Sequence, residues 1–158
     1  MKYLIKILFL PYKFYSQIKK KILYNYYKMK GAKIGKNTYI GPNVYLDVNH
    51  KPGKIIIGSN CYITRNSSLL AHSDALMGGP QAVFKEFGGE RIIGDVIIKD
   101  NVFVGFHCVI LPGVTIGKDA IIGAMSLVNK DVPAGAIVGG VPARIKGSIY
   151  SKLNIDKP

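Results

Sequence analysis

The sequence predicts an all-β chain: a parallel β-helix that follows a short helical segment and contains one long excursion loop. Three patterns predict it. Aliphatic residues recur every six positions, small residues lie four positions after each of them, and Asn, His, Asp or Gly lies three positions after. The chain has 158 residues and is 48% hydrophobic, which is enough for one packed core and argues against disorder.

The six-residue step defines the sides of the solenoid. The aliphatic anchors are Ile34, Ile40 and Leu46, then Ile57, Ile63 and Leu69, and finally Ile98, Val104, Ile110, Ile116, Ile122 and Val128. Alternation along a short strand directs such anchors inward. Three sides complete a turn of about eighteen residues, and stacked turns pair as parallel strands. Periodicity does not give the hand of the coil, although the usual crossover rule favours a right-handed one.

The position three residues after an anchor is predicted to be a corner, because its residue types tolerate left-handed backbone angles. The corner residues are Asn37, Asn43, Asn60, Asn66, His72, Asn101, His107, Gly113 and Asp119. The next position is small and faces inward, and it includes Cys61 and Cys108. We interpret both as buried core residues rather than nucleophiles. Two cysteines cannot form a disulfide framework, so we expect a reducing, cytoplasmic compartment.

The repeat is interrupted twice. Residues 47–56 delay the next anchor, and residues 73–91 remove it for much longer. Because packing does not require so long an excursion, the second interruption is expected to carry function. The predicted organisation is therefore a helical segment at 1–30, a β-helix at 31–146 with its excursion loop at 73–91, and a C-terminal tail at 147–158.

Residues 1–30 differ from the rest of the chain. They hold eight lysines, six tyrosines and no acidic residue, within a chain of net charge +13. Apolar residues recur at helical spacing on both sides of Pro11, which predicts two short helices with a basic face. Two interpretations are open. The segment caps the end of the solenoid, or it lies peripherally on the anionic inner face of the cell membrane.

The second half of the β-helix carries a more specific signature. It runs through VFVGFHCVILPGVTIG (102–117) and IGAMSLVNKDVP (122–133) to GGVPAR (139–144). These residues resemble the hexapeptide-repeat acyltransferases with a left-handed β-helix, especially the galactoside and maltose O-acetyltransferases and those of surface-polysaccharide gene clusters. The resemblance covers residues 34–146. It implies acetyl-CoA as the acyl donor, and a homotrimer whose active sites lie in the grooves between subunits.

Acetyl transfer to a hydroxyl needs a base, and a neutral imidazole is suited to this near pH 7. His72 lies at a predicted corner where the excursion begins, and the resemblance implies that it is the base, ahead of His107 and His50. Asp74 or a backbone carbonyl is predicted to orient His72, and Asp74 is also a candidate substrate-binding residue. Asn66 is either a contact for the acceptor sugar or simply a good corner residue.

The resemblance also implies a coenzyme site made of Phe106, Ala124, Asn129, Lys130 and Arg144. The backbone around Phe106 and Ala124 would bracket the pantetheine arm of the coenzyme. Asn129 and Lys130 would lie near the far end of that arm. Arg144 would meet a phosphate or the adenine, because a guanidinium presents a planar fork to phosphate. Met125 stands where the family usually has Gly, which predicts a narrower trough.

The predicted function is therefore acetyl transfer to a sugar hydroxyl in surface-polysaccharide biosynthesis. The alternatives are N-acetylation of an amino-sugar nucleotide and, more distantly, a non-catalytic scaffold. A zinc site like that of the γ-type carbonic anhydrases is not expected, because Pro112 stands where the third histidine ligand would be. Nucleic acid is not an expected partner, because the lysines concentrate in the first thirty residues and no base-stacking module follows.

Overall fold

The computed structural model describes residues 12–48, 53–73 and 92–153. The first of the two predicted helices, His50, Asp74 and nearly all of the excursion loop lie outside these residues. The described chain begins with helix α1 (Tyr12–Met29), where the second helix was predicted. The remainder consists of short strands and one further short helix.

The strands build a three-sided parallel solenoid. They are β1 (Lys33–Ile34), β2 (Tyr39–Ile40), β3 (Tyr45–Leu46), β4 (Ile55–Ile57), β5 (Tyr62–Ile63), β6 (Ser68–Leu69), β9 (Val96–Ile98), β10 (Phe103–Val104), β11 (Val109–Ile110), β12 (Thr115–Ile116), β13 (Ile121–Ile122) and β14 (Leu127–Val128). The first side has the order β1-β4-β9-β12, the second runs through β2-β5-β10-β13, and the third is β3-β6-β11-β14. The predicted solenoid is confirmed.

The predicted anchors form the core. Every aliphatic anchor of the six-residue step is buried, and Ile63, Leu69, Val104, Ile110, Ile116 and Ile122 are fully inaccessible. Register between coils pairs anchor with anchor, as in Leu46 with Leu69 and Ile110 with Val128. Each coil therefore stacks equivalent apolar side chains on those of the next, and this stacking buries a continuous apolar column.

The predicted corners are confirmed at all but one position. Asn37, Asn43, Asn60, Asn66, Asn101, His107 and Asp119 have φ between 55° and 62°, and Gly113 has φ 82°. The prediction is wrong for His72, which lies in strand β7 (His72–Ser73). This strand pairs antiparallel with β8 (Ile92–Ile93), so the chain leaves the coil in extended conformation instead of turning the corner.

Helix α1 closes the N-terminal end of the solenoid. Tyr27 is buried, and its hydroxyl donates a hydrogen bond of 2.6 Å to the carbonyl oxygen of Val44. The Tyr24 hydroxyl donates to the carbonyl oxygen of Ile34 at 3.1 Å, and Leu23 packs against the core. The capping role predicted for this segment is therefore observed for α1. None of the helices in the described part of the chain is long and apolar enough to cross a bilayer.

The C-terminal end is closed by a hairpin and a short helix. Strand β15 (Ala136–Gly139) pairs parallel with β13 and antiparallel with β16 (Arg144–Ser148). Helix α2 (Ile149–Leu153) follows, and it buries Tyr150. The predicted tail thus begins inside β16.

Candidate active site

A buried carboxylate and an imidazole meet where the excursion leaves the solenoid. Asp47 follows β3 in the first coil, and His72 follows β6 in the second. Since β3 and β6 pair in register, the residues that follow them lie on adjacent coils. The His72 Nδ1 atom forms a short hydrogen bond with Asp47 Oδ2. The Asp47 side chain is completely buried, and the His72 ring remains 16% exposed.

Backbone groups also bind the Asp47 carboxylate. Oδ2 accepts hydrogen bonds from the backbone N–H groups of Ala71, at 3.0 Å, and of His72, at 3.1 Å. A buried carboxylate needs such donors, because without them its desolvation is very costly. The result is a fixed acceptor that holds the imidazole ring in one orientation.

Tyr45 borders the same carboxylate. Its hydroxyl donates a long hydrogen bond of 3.5 Å to Asp47 Oδ1. Desolvation raises the pKa of the Tyr45 hydroxyl, and the neighbouring Asp47 carboxylate raises it further. Tyr45 therefore stays a neutral hydrogen-bond donor at physiological pH.

Asn66 and His107 lie at a different corner, between the second and third sides of the solenoid. Their side chains meet across adjacent coils, with Asn66 Nδ2 at 3.1 Å from His107 Nε2. The His107 ring packs edge-on against Phe106, with centroids 4.5 Å apart. The strands of the third side separate this corner from the site of Asp47 and His72. Asn66 therefore pairs with His107 and does not belong to the contact between His72 and Asp47.

Three residues predicted to bind the coenzyme line one cavity. Asn129, Lys130 and Arg144 border a cavity of about 270 Å³ between the last coil and β16. Asp131 also lines it, but its Oδ1 atom accepts a hydrogen bond of 2.7 Å from the backbone N–H of Thr115. The cavity therefore presents a guanidinium and an ammonium group beside one carboxylate, a net positive charge that suits phosphate. Arg144 Nη1 itself donates to the carbonyl oxygen of Ala143 at 2.9 Å.

The other two predicted coenzyme residues lie on the corner of Asn66 and His107. Phe106 is 40% exposed, and Ala124 is exposed on the coil above it. The coils approach each other closely here, since a Cβ atom on Gly105 would lie 2.5 Å from the backbone nitrogen of Ala124. Met125 follows Ala124 with φ 60° and is 65% exposed.

The cysteines are confirmed as buried core residues. The Cys61 thiol donates to the carbonyl oxygen of Lys99 at 3.0 Å, and the Cys108 thiol donates to that of Gly123 at 3.1 Å. Burial raises the pKa of both thiols, which keeps them protonated and unreactive. Within residues 12–48, 53–73 and 92–153, no group of three or more His, Cys, Asp or Glu side chains is placed to hold a metal ion.

Comparison with known proteins gives this geometry a context. Residues 92–130 match the family described as bacterial transferase hexapeptide (six repeats). Over 120 residues the chain is 42% identical to the putative acetyltransferase YvoF of Bacillus subtilis (strain 168), a match covering 76% of this chain and 60% of YvoF. The chain belongs to the hexapeptide-repeat transferase family.

Solved structures also resemble this hexapeptide-repeat chain, among them two acetyltransferases. The polySia-specific acetyltransferase NeuO matches with a TM-score of 0.62 at 31% identity, covering 79% of this chain and 53% of NeuO. A galactoside acetyltransferase in complex with coenzyme A matches with a TM-score of 0.55 at 28% identity, covering 77% and 67%. The fold is thus the left-handed β-helix that the sequence resemblance implied, and not the right-handed form favoured by the crossover rule.

The match is partial in length. The hexapeptide-repeat chain spans between 54% and 63% of the length of three curated relatives that it matches. The matched proteins include both O-acetyltransferases and N-acetyltransferases.

Asp47 is the site residue that the sequence reasoning missed. In the structure the Asp47 side chain contacts the His72 ring, and the orienting role expected of Asp74 or a backbone carbonyl stays a prediction. Asp74 lies outside the described residues. One signal was present in the sequence: Asp47 is an acidic residue directly after the anchor Leu46, where the regular repeat first stops.

Proposed function

We propose that this protein is an acetyl-CoA-dependent O-acetyltransferase that modifies a sugar hydroxyl in surface-polysaccharide biosynthesis. The observation that carries the proposal is the contact between His72 and the fully buried Asp47. A buried carboxylate that orients an imidazole is the arrangement by which proteins prepare a histidine as a general base. The resemblance to acetyltransferases, one of them in complex with coenzyme A, supports the acyl donor.

In the proposed reaction, transfer is direct. The His72 imidazole removes the proton of the acceptor hydroxyl as its oxygen attacks the thioester carbonyl. The tetrahedral intermediate collapses with cleavage of the C–S bond, and the imidazolium returns the proton to the departing thiolate of CoA. Asp47 holds the ring in place and stabilises the imidazolium between these two steps.

The coenzyme is proposed to bind along the last coils. Lys130 and Arg144 supply cations for its phosphates beside Asn129, all three lining one cavity. Phe106 and Ala124, on the neighbouring corner, are proposed to flank the pantetheine arm. Asn66 is proposed as a contact for the acceptor sugar, and Asp74 keeps its predicted substrate-binding role as a proposal.

A homotrimer is proposed, with the groove between neighbouring subunits completing each site. An apolar row on the outer face of the second side supports it. Tyr39 and Tyr62 lie with centroids 4.5 Å apart, and Tyr62 and Phe103 lie 5.9 Å apart. Tyr62 and Phe103 remain 48% and 41% exposed in the single chain. The two free thiols favour a cytoplasmic, reducing location.

The two described histidines test the proposal as a matched pair. Release of CoA thiol from acetyl-CoA is measured with a panel of sugar acceptors for wild type, His72→Ala and His107→Ala. His72→Ala is expected to lower kcat by about 10²–10⁴-fold, the usual contribution of a general base. His107→Ala is expected to retain most of kcat, because its ring contacts Asn66 and Phe106 rather than a buried carboxylate.

Thermal unfolding of both variants serves as the folding control, and light scattering of the same preparations measures the proposed trimer. An unchanged kcat for folded His72→Ala, or a larger loss for His107→Ala, would contradict the assignment of the base. Absence of turnover by wild type with every acceptor would favour the scaffold alternative.

N-acetylation of an amino-sugar nucleotide remains the second candidate. It is favoured by a segment of 50 residues that is 54% identical to a tetrahydropyridine-dicarboxylate N-acetyltransferase. Including amino-sugar nucleotides in the acceptor panel separates the two functions. Faster turnover of the amine than of any sugar hydroxyl would select the second.

A further inference from the structure

Helix α1 has an outer apolar stripe in addition to the face that caps the solenoid. Leu23, Tyr24 and Tyr27 face the core, where two of them are fixed by hydrogen bonds to backbone carbonyls. Ile22 and Met29 point away from the core and are 63% and 81% exposed. The cap therefore fixes which side of α1 faces outward.

The outward residues form a continuous line. Ile22, Tyr26 and Met29 are spaced i, i+4 and i+7, which places them within an arc of roughly 60° on an α-helix. Tyr26 is 41% exposed. At 100° per residue, the centre of this stripe lies about 140° from the centre of the capping face. A stripe of this kind does not contribute to the cap.

Lysines lie on both sides of the stripe. On helical geometry Lys30 lies about 70° from the centre of the stripe on one side. Lys21 and Lys28 lie about 110° and about 130° from it on the other side, towards the edge of the capping face. All three are exposed. The Lys28 ammonium group lies 5.1 Å from the centroid of the Tyr24 ring, and that of Lys30 lies 5.9 Å from the Tyr26 ring. Long lysine side chains beside aromatic and aliphatic residues are typical of helices that lie in a membrane interface.

The charge decides between the possible partners. If a second copy docked stripe to stripe, its lysines would face the same lysines, and residues 1–30 contain eight lysines without a compensating acidic residue. Nucleic acid would use the lysines but not the apolar stripe. An anionic lipid surface satisfies both, because acyl chains accept the stripe and headgroups accept the ammonium groups.

We propose that the outer face of α1, defined by Ile22, Tyr26 and Met29 and flanked by Lys21, Lys28 and Lys30, docks on an anionic lipid bilayer. This docking holds the β-helix with its N-terminal end against the membrane. It is independent of the acetyl-transfer chemistry, since these residues lie on the cap and not beside His72 or the coenzyme cavity.

Vesicle sedimentation of the full chain tests the proposal. One set of vesicles contains equal parts of phosphatidylglycerol and phosphatidylcholine, and the other contains phosphatidylcholine alone. We expect about tenfold or greater preference for the anionic vesicles, and release at about 1 M salt, where the Debye length is about 3 Å. The Ile22→Ser/Met29→Ser double variant is expected to bind anionic vesicles about tenfold less than wild type.

Leu153→Ser is the matched control, because Leu153 is 65% exposed on α2 at the opposite end of the solenoid. It should bind like wild type. All variants should keep the wild-type melting temperature and the turnover of water-soluble acceptors, so failure here is distinguishable from failure of the proposed function.

Equal binding to both kinds of vesicle, or wild-type binding by the double variant, would overturn the proposal. The proposal would also be overturned if the double substitution changed the oligomeric state measured by light scattering and left vesicle binding unchanged. The stripe would then be covered by a second copy of the chain. The proposal would also fail if wild type bound no vesicles and the double variant melted at a lower temperature than wild type. In that case the stripe would be covered within the chain itself, with residues 1–11 as the candidate segment.

Discussion

Two corners of the solenoid place polar side chains in different surroundings. Along one corner, Asn37, Asn60, Asn101 and Asp119 stack coil on coil and hydrogen-bond to each other at 3.4, 3.3 and 2.8 Å. This ladder lies at the surface and ends where Tyr150 donates to Asp119 at 3.1 Å. At the corner of Asp47 and His72, the repeat is broken and the carboxylate is fully buried.

Asp119 and Asp47 are the same residue type, but one ends a hydrogen-bonded surface ladder and the other is buried against a histidine, where we propose that it supports catalysis. In the ladder, every side chain has an equivalent neighbour one coil away, and only the last member, Asp119, also has a partner from outside the repeat, Tyr150. Asp47 has no equivalent on the adjacent coil, and its three N–H donors come from Ala71 and His72. A solenoid thus acquires a candidate reactive site where its periodicity stops.

The largest contrast is expected between Asp47→Asn and Asp119→Asn. The first substitution keeps the shape of a buried side chain but removes the charge that, in the proposed mechanism, stabilises the His72 imidazolium. We expect kcat to fall by about tenfold or more, with KM for acetyl-CoA little changed. The second substitution alters only the end of the ladder and should leave kcat within about twofold.

Steady-state kinetics of the two variants measure this contrast, and thermal unfolding shows whether each is folded. Equal effects on kcat would mean that the two corners do not differ in function. If an Asp47→Asn variant were folded and had a higher KM for acetyl-CoA but an unchanged kcat, Asp47 would not act through His72.

A smaller effect is expected on stability at the ladder. Asn60 has φ 57° and hydrogen-bonds to Asn101 on the next coil. Asn60→Ala places a residue that disfavours the left-handed region there, so we expect a loss of about 1–2 kcal/mol in the free energy of unfolding. Asn60→Gly keeps the backbone freedom and should lose less. Denaturant unfolding measures both variants, and an equal loss would exclude a backbone cost.

The smallest effect is expected at Met125. It occupies a corner with φ 60° and is 65% exposed, so little packing offsets its backbone strain. Met125→Gly should therefore raise the free energy of unfolding by about 0.5–1 kcal/mol. Met125→Asn, which matches the residue type of the other corners, should give a smaller gain. Denaturant unfolding would contradict this if both variants were less stable than wild type.

The regular part of the molecule was predictable from the sequence because the residues within each repeat determine which side chain is buried and where the chain turns. The spacing of Ile98, Val104 and Ile110 was sufficient to place them in the core. The candidate site was predictable only in part. His72 was singled out because it lies at the start of the excursion, but its strand conformation was not, since that depends on pairing with Ile92 and Ile93 across the excursion.

Asp47 illustrates the same limit from the other side. It lies 25 residues from His72 in the sequence, and no local pattern connects them. Their contact exists because β3 and β6 pair in register, which brings the ends of successive coils together. The cavity of Asn129, Lys130 and Arg144 likewise needs β16 to fold back onto β15.

By itself, the sequence determined the period of the coil, its inward anchors and the corner residues that adopt positive φ. These features follow from burial and backbone sterics within each repeat. The tertiary structure decided which polar groups meet. Asp119 is partly exposed at the end of the ladder, whereas Asp47 is buried against an imidazole. Which of the two a carboxylate becomes depends on the neighbouring coil, and the register of the stacked strands sets the identity of that neighbour.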